Sequence, residues 1–172
     1  EAENFQELAQ KAKEKCVDLL VVGPEDPLVK GIVDEFKKVE IPAIGPDKYW
    51  ANLEGSKSFA KEFMTRNNIP TAKYEVINRK DQIQNVLKNF NLPIVIKADG
   101  LAAGKGVVIA ETYSEAKSVI DAFLDGKYNE ASKKIVIEEF LKGEELSLIS
   151  LWDGITLVPL IPAKDYKKLL NG

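Results

Sequence analysis

Residues 93–110 read PIVIKADGLAAGKGVVIA: an apolar strand, a glycine-rich loop carrying one more lysine, and a second apolar strand. Glycine has no Cβ to keep backbone N–H groups from phosphate oxygens, and Lys97 and Lys105 add positive charge at either end of the loop. The stretch is therefore expected to hold a nucleotide triphosphate. A P-loop needs four residues between its first glycine and Gly-Lys, then a Ser or Thr and a helix. Here three residues separate Gly100 from Gly104, Gly106 stands where the hydroxyl belongs, and the strand-like VVIA follows. The dinucleotide fingerprint also fails, because Gly104-Lys105-Gly106 lacks a third glycine and opens no helix. A strand-loop-strand hairpin remains, either a flap over phosphates or an ordinary flexible turn.

A second constellation is IEEFLKGEE at residues 137–145. A strand that ends in carboxylates and passes into a loop suits a nucleotide site. One carboxylate accepts from an adenine amino group, backbone groups bind the ring edge, and a later carboxylate binds ribose hydroxyls. The competing reading is an acidic, solvated loop.

Composition narrows the classes. The 172 residues are 45% hydrophobic and 30% charged, ordinary for one domain or two small ones. No apolar run approaches the roughly 20 residues of a bilayer span, and no signal or transit segment is recognisable, so neither a membrane nor an export role is expected. A net charge of −3 argues against a nucleic-acid partner. The absence of histidine from the sequence excludes imidazole chemistry and His-based metal sites from these residues. Lone Cys16 suits a reducing cytoplasm and is expected to be a buried structural thiol.

Along the chain, Phe5, Leu8, Ala9 and Ala12 fall at helical spacing, and VDLLVV at 17–22 reads as a buried parallel strand. One helix carrying Leu28, Ile32, Val33 and Phe36 and a short strand at 42–45 follow. This order matches the later part of a doubly wound α/β domain, whose ligands sit at the carboxyl ends of strands. The GPEDP loop at 23–27 lies at such an end, where Glu25 is either a ligand-facing carboxylate or part of a helix cap. A third helix spans 56–67, with Phe59, Ala60, Phe63 and Met64 on one face. Strands at 72–77, 93–98, 107–110 and 134–141 alternate with helices around Ile83 and Ser114. The stretches ELSLISLWDG and ITLVPL form a hairpin about Asp153-Gly154.

Gly55-Ser56-Lys57 opening a helix, IVIKADGLAAGKGVVIA, VIEEFLKGEELS and PLIPAKDYKK at 159–168 together resemble the glycinamide ribonucleotide synthetase (phosphoribosylamine–glycine ligase) family. The resemblance spans essentially the whole chain. It implies a fold that is α/β and α+β: a partial ATP-grasp fold preceded by the later part of a Rossmann-like N-terminal domain. The implied divisions are that N-terminal domain at 1–53, a connecting helix at 54–71, the small ATP-grasp subdomain with its flap at 72–141, and the start of the larger subdomain at 142–172.

The implied activity is the ATP-dependent joining of glycine to 5-phosphoribosylamine through glycyl phosphate, in purine biosynthesis and in the cytoplasm. The runner-up readings are another ATP-grasp carboxylate–amine ligase and a catalytically incomplete nucleotide-binding fragment. Carried over residue by residue, Lys57 and Lys97 reach the ATP phosphates from different sides. Asp99, Gly100, Gly104, Lys105 and Gly106 belong to the flap. Glu138 meets the adenine amino group, with Glu139 beside it, while the Leu141 backbone meets the ring edge and Glu145 the ribose. Glu25, Asp165 and Lys167 fall on the substrate side.

The sequence departs from the family pattern at Lys164, Tyr166 and Lys168, where Gln, His and Arg are usual. The family's glycine-rich first strand-loop-helix and its ligands for Mg2+ (or Mn2+) have no counterpart among these residues. The chain is therefore expected to be a fragment that binds ATP weakly and catalyses nothing alone.

Overall fold

The computed structural model describes residues 4–102 and 104–164. The chain divides into two units, Glu1–Phe140 and Leu141–Gly172.

The first unit opens with α1 (Phe5–Glu14), capped by Asn4, whose side chain accepts from the Glu7 N–H at 3.1 Å. Its Ala9 joins Ile32, Phe36 and Ile41 in a small core. The run at 17–22 supplies only a two-residue strand, β1 (Leu20–Val21), parallel to β2 (Ala43–Ile44). The single helix expected through Leu28 and Phe36 is two, α2 (Glu25–Lys30) and α3 (Ile32–Lys38). Gly31 separates them at φ 96°, a left-handed conformation that ends the first helix and that glycine adopts without Cβ strain. Cys16 is likewise a correction. The chain leaves α1 through a positive φ of 53° at that residue, and the thiol is exposed rather than buried.

A short helix absent from the sequence reading, α4 (Asn52–Gly55), leads into α5 (Lys57–Arg66). Ser56 caps α5, its Oγ accepting from the Phe59 N–H at 3.2 Å. Edge-to-face pairs Tyr49–Phe59 at 5.5 Å and Trp50–Phe63 at 5.8 Å fix α5 against the preceding turn.

Beyond α5 come β3 (Tyr74–Ile77), α6 (Ile83–Leu87), β4 (Ile94–Ala98), β5 (Val107–Ala110), α7 (Tyr113–Leu124) and β6 (Ile135–Glu139). They form a four-stranded sheet in the order β3-β6-β4-β5, every neighbouring pair antiparallel. The β4–β5 pairing is the hairpin expected around the glycine loop, with Lys97 opposite Val107.

Side chains on a strand alternate between faces. Ile94, Ile96 and Ala98 of β4 and Ile135 and Ile137 of β6 are fully buried in the core with Ile120 and Phe123 of α7. The same alternation turns Val95 and Lys97 to the opposite face. There Val136 and Glu138 of β6 are also buried, because α5 packs against β6. The elements that carry Lys57, Lys97 and Glu138 are thereby brought together.

The second unit contains β7 (Leu146–Ser147), β8 (Ser150–Trp152), β9 (Leu157–Pro159) and β10 (Ala163–Lys164). β8 and β9 form the expected hairpin, and β7 pairs with β10. Asp153 organises the turn, its Oδ1 accepting from the N–H groups of Thr156 at 2.7 Å and Ile155 at 2.9 Å. These two bonds, that from Thr156 foremost, hold the carboxyl below its ordinary pKa.

Phe123 is fully buried at the centre of the larger core. Phe123→Ala is expected to lower the unfolding free energy by about 3–5 kcal/mol in urea titrations, through lost burial and a residual cavity.

Candidate nucleotide site

α5 presents Lys57, Lys61 and Met64 at i, i+4 and i+7, a single stripe of the helix. The stripe lines a cavity of about 450 Å³ whose wall also includes Glu25, Lys97 and Glu138. Leu101, Ala102, Gly104 and Gly106 of the loop and Leu53 and Glu54 of α4 contribute further lining. Three lysines therefore meet three carboxylates in one pocket.

Glu138 is at the centre of this arrangement. Its Oε2 receives Lys97 Nζ at 3.0 Å and Lys61 Nζ at 3.1 Å. Lys97 stands opposite Val136 in the β4–β6 ladder, so Glu138, two residues further along β6, is its diagonal neighbour on the same face. Glu138 Oε1 is buried and has no hydrogen-bond partner among the described residues. A buried carboxylate oxygen without a donor is costly, and Glu138 is also among the residues that line the cavity.

Lys57 lies at the first turn of α5, where its Nζ donates to the Gly100 carbonyl at 3.1 Å and the Asp99 carbonyl at 3.4 Å. Burial pushes its pKa below the ordinary lysine value, the charge of Asp99 opposes that shift, and Lys97 adds to it. A half-buried ammonium whose hydrogen-bond partners among the described residues are two carbonyl dipoles gains much from an anion entering the cavity.

The loop itself is tied down. Asp99 and Gly100 donate their N–H groups to the carbonyls of Lys134 (3.1 Å) and Ala131 (3.0 Å), and Lys105 N–H donates to Ala102 (2.9 Å). Tyr128 Oη donates to the Lys105 carbonyl at 2.6 Å. A Cβ on Gly100 would come within 2.9 Å of the Ala131 backbone, so glycine permits that docking. These three amides are thus spent inside the protein instead of converging on a ligand.

The family model described as the ATP-grasp (A) domain of phosphoribosylglycinamide synthetase matches residues 55–172, and that of its N domain matches residues 1–54. The chain belongs to the phosphoribosylglycinamide synthetase family. It is 48% identical over 171 residues to the phosphoribosylamine–glycine ligase of Clostridium acetobutylicum, covering 99% of this chain and 41% of that protein. The corresponding ligase of Neisseria meningitidis serogroup B is 46% identical, with 97% of this chain and 40% of that one covered. The crystal structure of phosphoribosylamine–glycine ligase from Thermotoga maritima superposes with a TM-score of 0.73 at 35% identity, covering 94% of this chain and 40% of that one. The chain thus spans about 40% of the length of these relatives.

Of the residues that the synthetase motifs single out, Glu25, Lys57, Lys97, Gly104, Gly106 and Glu138 line the cavity. Others have different occupations. The Asp99 carboxylate caps α5, accepting from the Ser58 N–H at 2.6 Å and from Ser56 Oγ at 3.0 Å, so it anchors the flap's base to the helix. Glu139 turns its Oε1 to the Lys73 N–H at 2.7 Å, beside the start of β3. Lys105 is exposed and is not among the residues lining the cavity.

Leu141 and Glu145 belong to the second unit, so their assignment to ring edge and ribose rests on the motif alone. Asp165 and Lys167 lie outside the described residues. The residue that sequence reasoning missed is Lys61. Its position four residues after Lys57, within the apolar stripe of Ala60 and Met64, was the available signal.

Asp99→Ala removes a charged helix cap and is expected to cost about 1–2 kcal/mol of stability in urea titrations. The burial of Lys57 links stability to pH. Between its lowered folded-state pKa and the unfolded value of about 10.4, the unfolded chain holds a proton that the folded chain has lost, so stability rises with pH. The difference in unfolding free energy between the unsubstituted protein and Lys57→Met, followed by urea titration across that window, should therefore shift in favour of the unsubstituted protein as pH increases.

Proposed function

We propose that this chain carries the nucleotide-binding part of an ATP-dependent ligase that joins glycine to 5-phosphoribosylamine, yielding glycinamide ribonucleotide, ADP and phosphate. The observation that carries the reading is the convergence of Lys57 from α5 and Lys97 from β4 on one cavity beside the glycine loop, in a chain of this family. A carboxylate is a poor electrophile, and ATP supplies the phosphoryl group that gives glycine a leaving group. The amine of phosphoribosylamine then attacks the carbonyl carbon, and phosphate departs.

In this reading Lys57 and Lys97 neutralise phosphate oxygens and stabilise the charge that moves during transfer. Glu138 Oε1 accepts from the adenine amino group, which would satisfy the one buried side-chain oxygen left without a donor among the described residues. Glu25, at the start of α2 on the cavity wall, serves the substrate side. Mg2+ (or Mn2+) completes the proposal. No group of three or more His, Cys, Asp or Glu able to hold a metal ion occurs among the described residues, so the proposed ligands lie elsewhere. No helix among them is long and apolar enough to cross a membrane, and the cytoplasm is the proposed location.

The test is ADP release by the intact protein with ATP, Mg2+, glycine and phosphoribosylamine. Lys97→Ala is expected to lower kcat/KM by about 100-fold or more, the scale of losing one preorganised charge at a transfer site. Unchanged kinetics would remove the phosphate role from Lys97. ADP release that needs a different carboxylate or amine would assign the chain to another ligase.

A further inference from the structure

The two lysines on Glu138 Oε2 are not equivalent. Lys61 is enclosed: its side chain is 8% exposed, and its Nζ also bonds Thr71 Oγ1 at 2.8 Å and the Ala72 carbonyl at 3.4 Å. It lies 5.6 Å from the centre of the Tyr74 ring as well, within cation–π range. Lys97 is 27% exposed, lines the cavity, and bonds Glu138 as its acidic partner. Glu138 itself is 6% exposed, and burying a charged carboxylate is costly without a cation beside it.

We propose that Lys61 is a positioning residue, the permanent counter-ion of Glu138, whose presence lets Lys97 exchange between Glu138 and the phosphates of a bound nucleotide. The inference rests on reading the cavity as a nucleotide site. If Lys97 were the sole cation on Glu138, incoming phosphates would have to draw it from a buried carboxylate, leaving that carboxylate uncompensated. The cost would fall on nucleotide affinity. With Lys61 held on the same oxygen by Thr71 and Ala72, Glu138 stays neutralised when Lys97 moves.

A purely structural Lys61 would cement α5 to β6 and affect binding only by shifting the helix. A double-substitution cycle separates the two roles, with the affinity of the intact protein for a non-hydrolysable ATP analogue measured by calorimetry. Lys61→Met traps Lys97 on Glu138. Should the competent fraction fall to about a tenth, the dissociation constant rises about tenfold. In the Glu138→Gln background there is no carboxylate to trap Lys97, so adding Lys61→Met is expected to change affinity by less than about twofold.

An equal loss in both backgrounds, or no loss in either, would overturn the role of Lys61. If Lys61→Met does not fold, Thr71→Val removes only the 2.8 Å hydrogen bond that holds Lys61 and is run in the same two backgrounds. A loss of about threefold is expected with Glu138 present and none with it replaced; equal effects would overturn the proposal. Absence of analogue binding by the unsubstituted protein would instead overturn the nucleotide reading, and the role of Lys61 with it.

Discussion

The buried carboxylate of Glu138 is the constraint on which the site depends. An ionised group on the inner face of a sheet is tolerated only with cations and donors at hand. That requirement brings Lys97 across from the neighbouring strand and Lys61 down from α5, so one oxygen ties together three elements distant in sequence. Replacing such a cluster with apolar side chains would fill the space as well, and often more stably. Here the cluster lies at a cavity wall, and the second oxygen of Glu138 has no donor among the described residues.

The glycine loop illustrates a different division of labour. Its base is immobilised by the cap that Asp99 places on α5 and by hydrogen bonds to residues 131 and 134. Lys57 reaches back from α5 to the carbonyls of the same segment, so helix and loop hold one another in register. The lysines that line the cavity sit on regular elements, whose positions are set by packing. The loop supplies shape: Gly106 lies so close to Ala98 and Ala102 that a Cβ would meet Ala102 at 2.7 Å. The amides of Asp99, Gly100 and Lys105 are engaged within the protein, and Lys57 and Lys97 line the cavity beside the loop.

Much of this was legible in the sequence because it is periodic. Alternation in IVIKA put Ile94, Ile96 and Ala98 on one face and Lys97 on the other, and helical spacing found the buried face of α7, whereas on α5 the buried residues are Ser58 and Lys61 and the expected Phe59, Ala60, Phe63 and Met64 are half-buried. The failures occurred where local pattern is ambiguous. Gly31 interrupts a helix whose apolar spacing continues across it. Cys16 lies two residues beyond the end of α1, where a single φ decides between core and solvent. Lys61, four residues after Lys57, shares the stripe of Ala60 and Met64, but its carboxylate partner is decided only when β6 is laid against α5.

The sequence by itself determined the alternating strands, the capped helices, the glycine hairpin and the motifs that mark the family, since each depends on residues a few positions apart. The tertiary structure decided which charged groups meet. Asp99 and Lys105 carry the same flap motif as Lys97, yet one caps a helix and the other points to solvent, while Lys61, outside every motif, is buried on Glu138. Electrostatic partnership depends on distance and burial across elements 41 to 77 residues apart, from Lys97 or Lys61 to Glu138, and no local pattern encodes it.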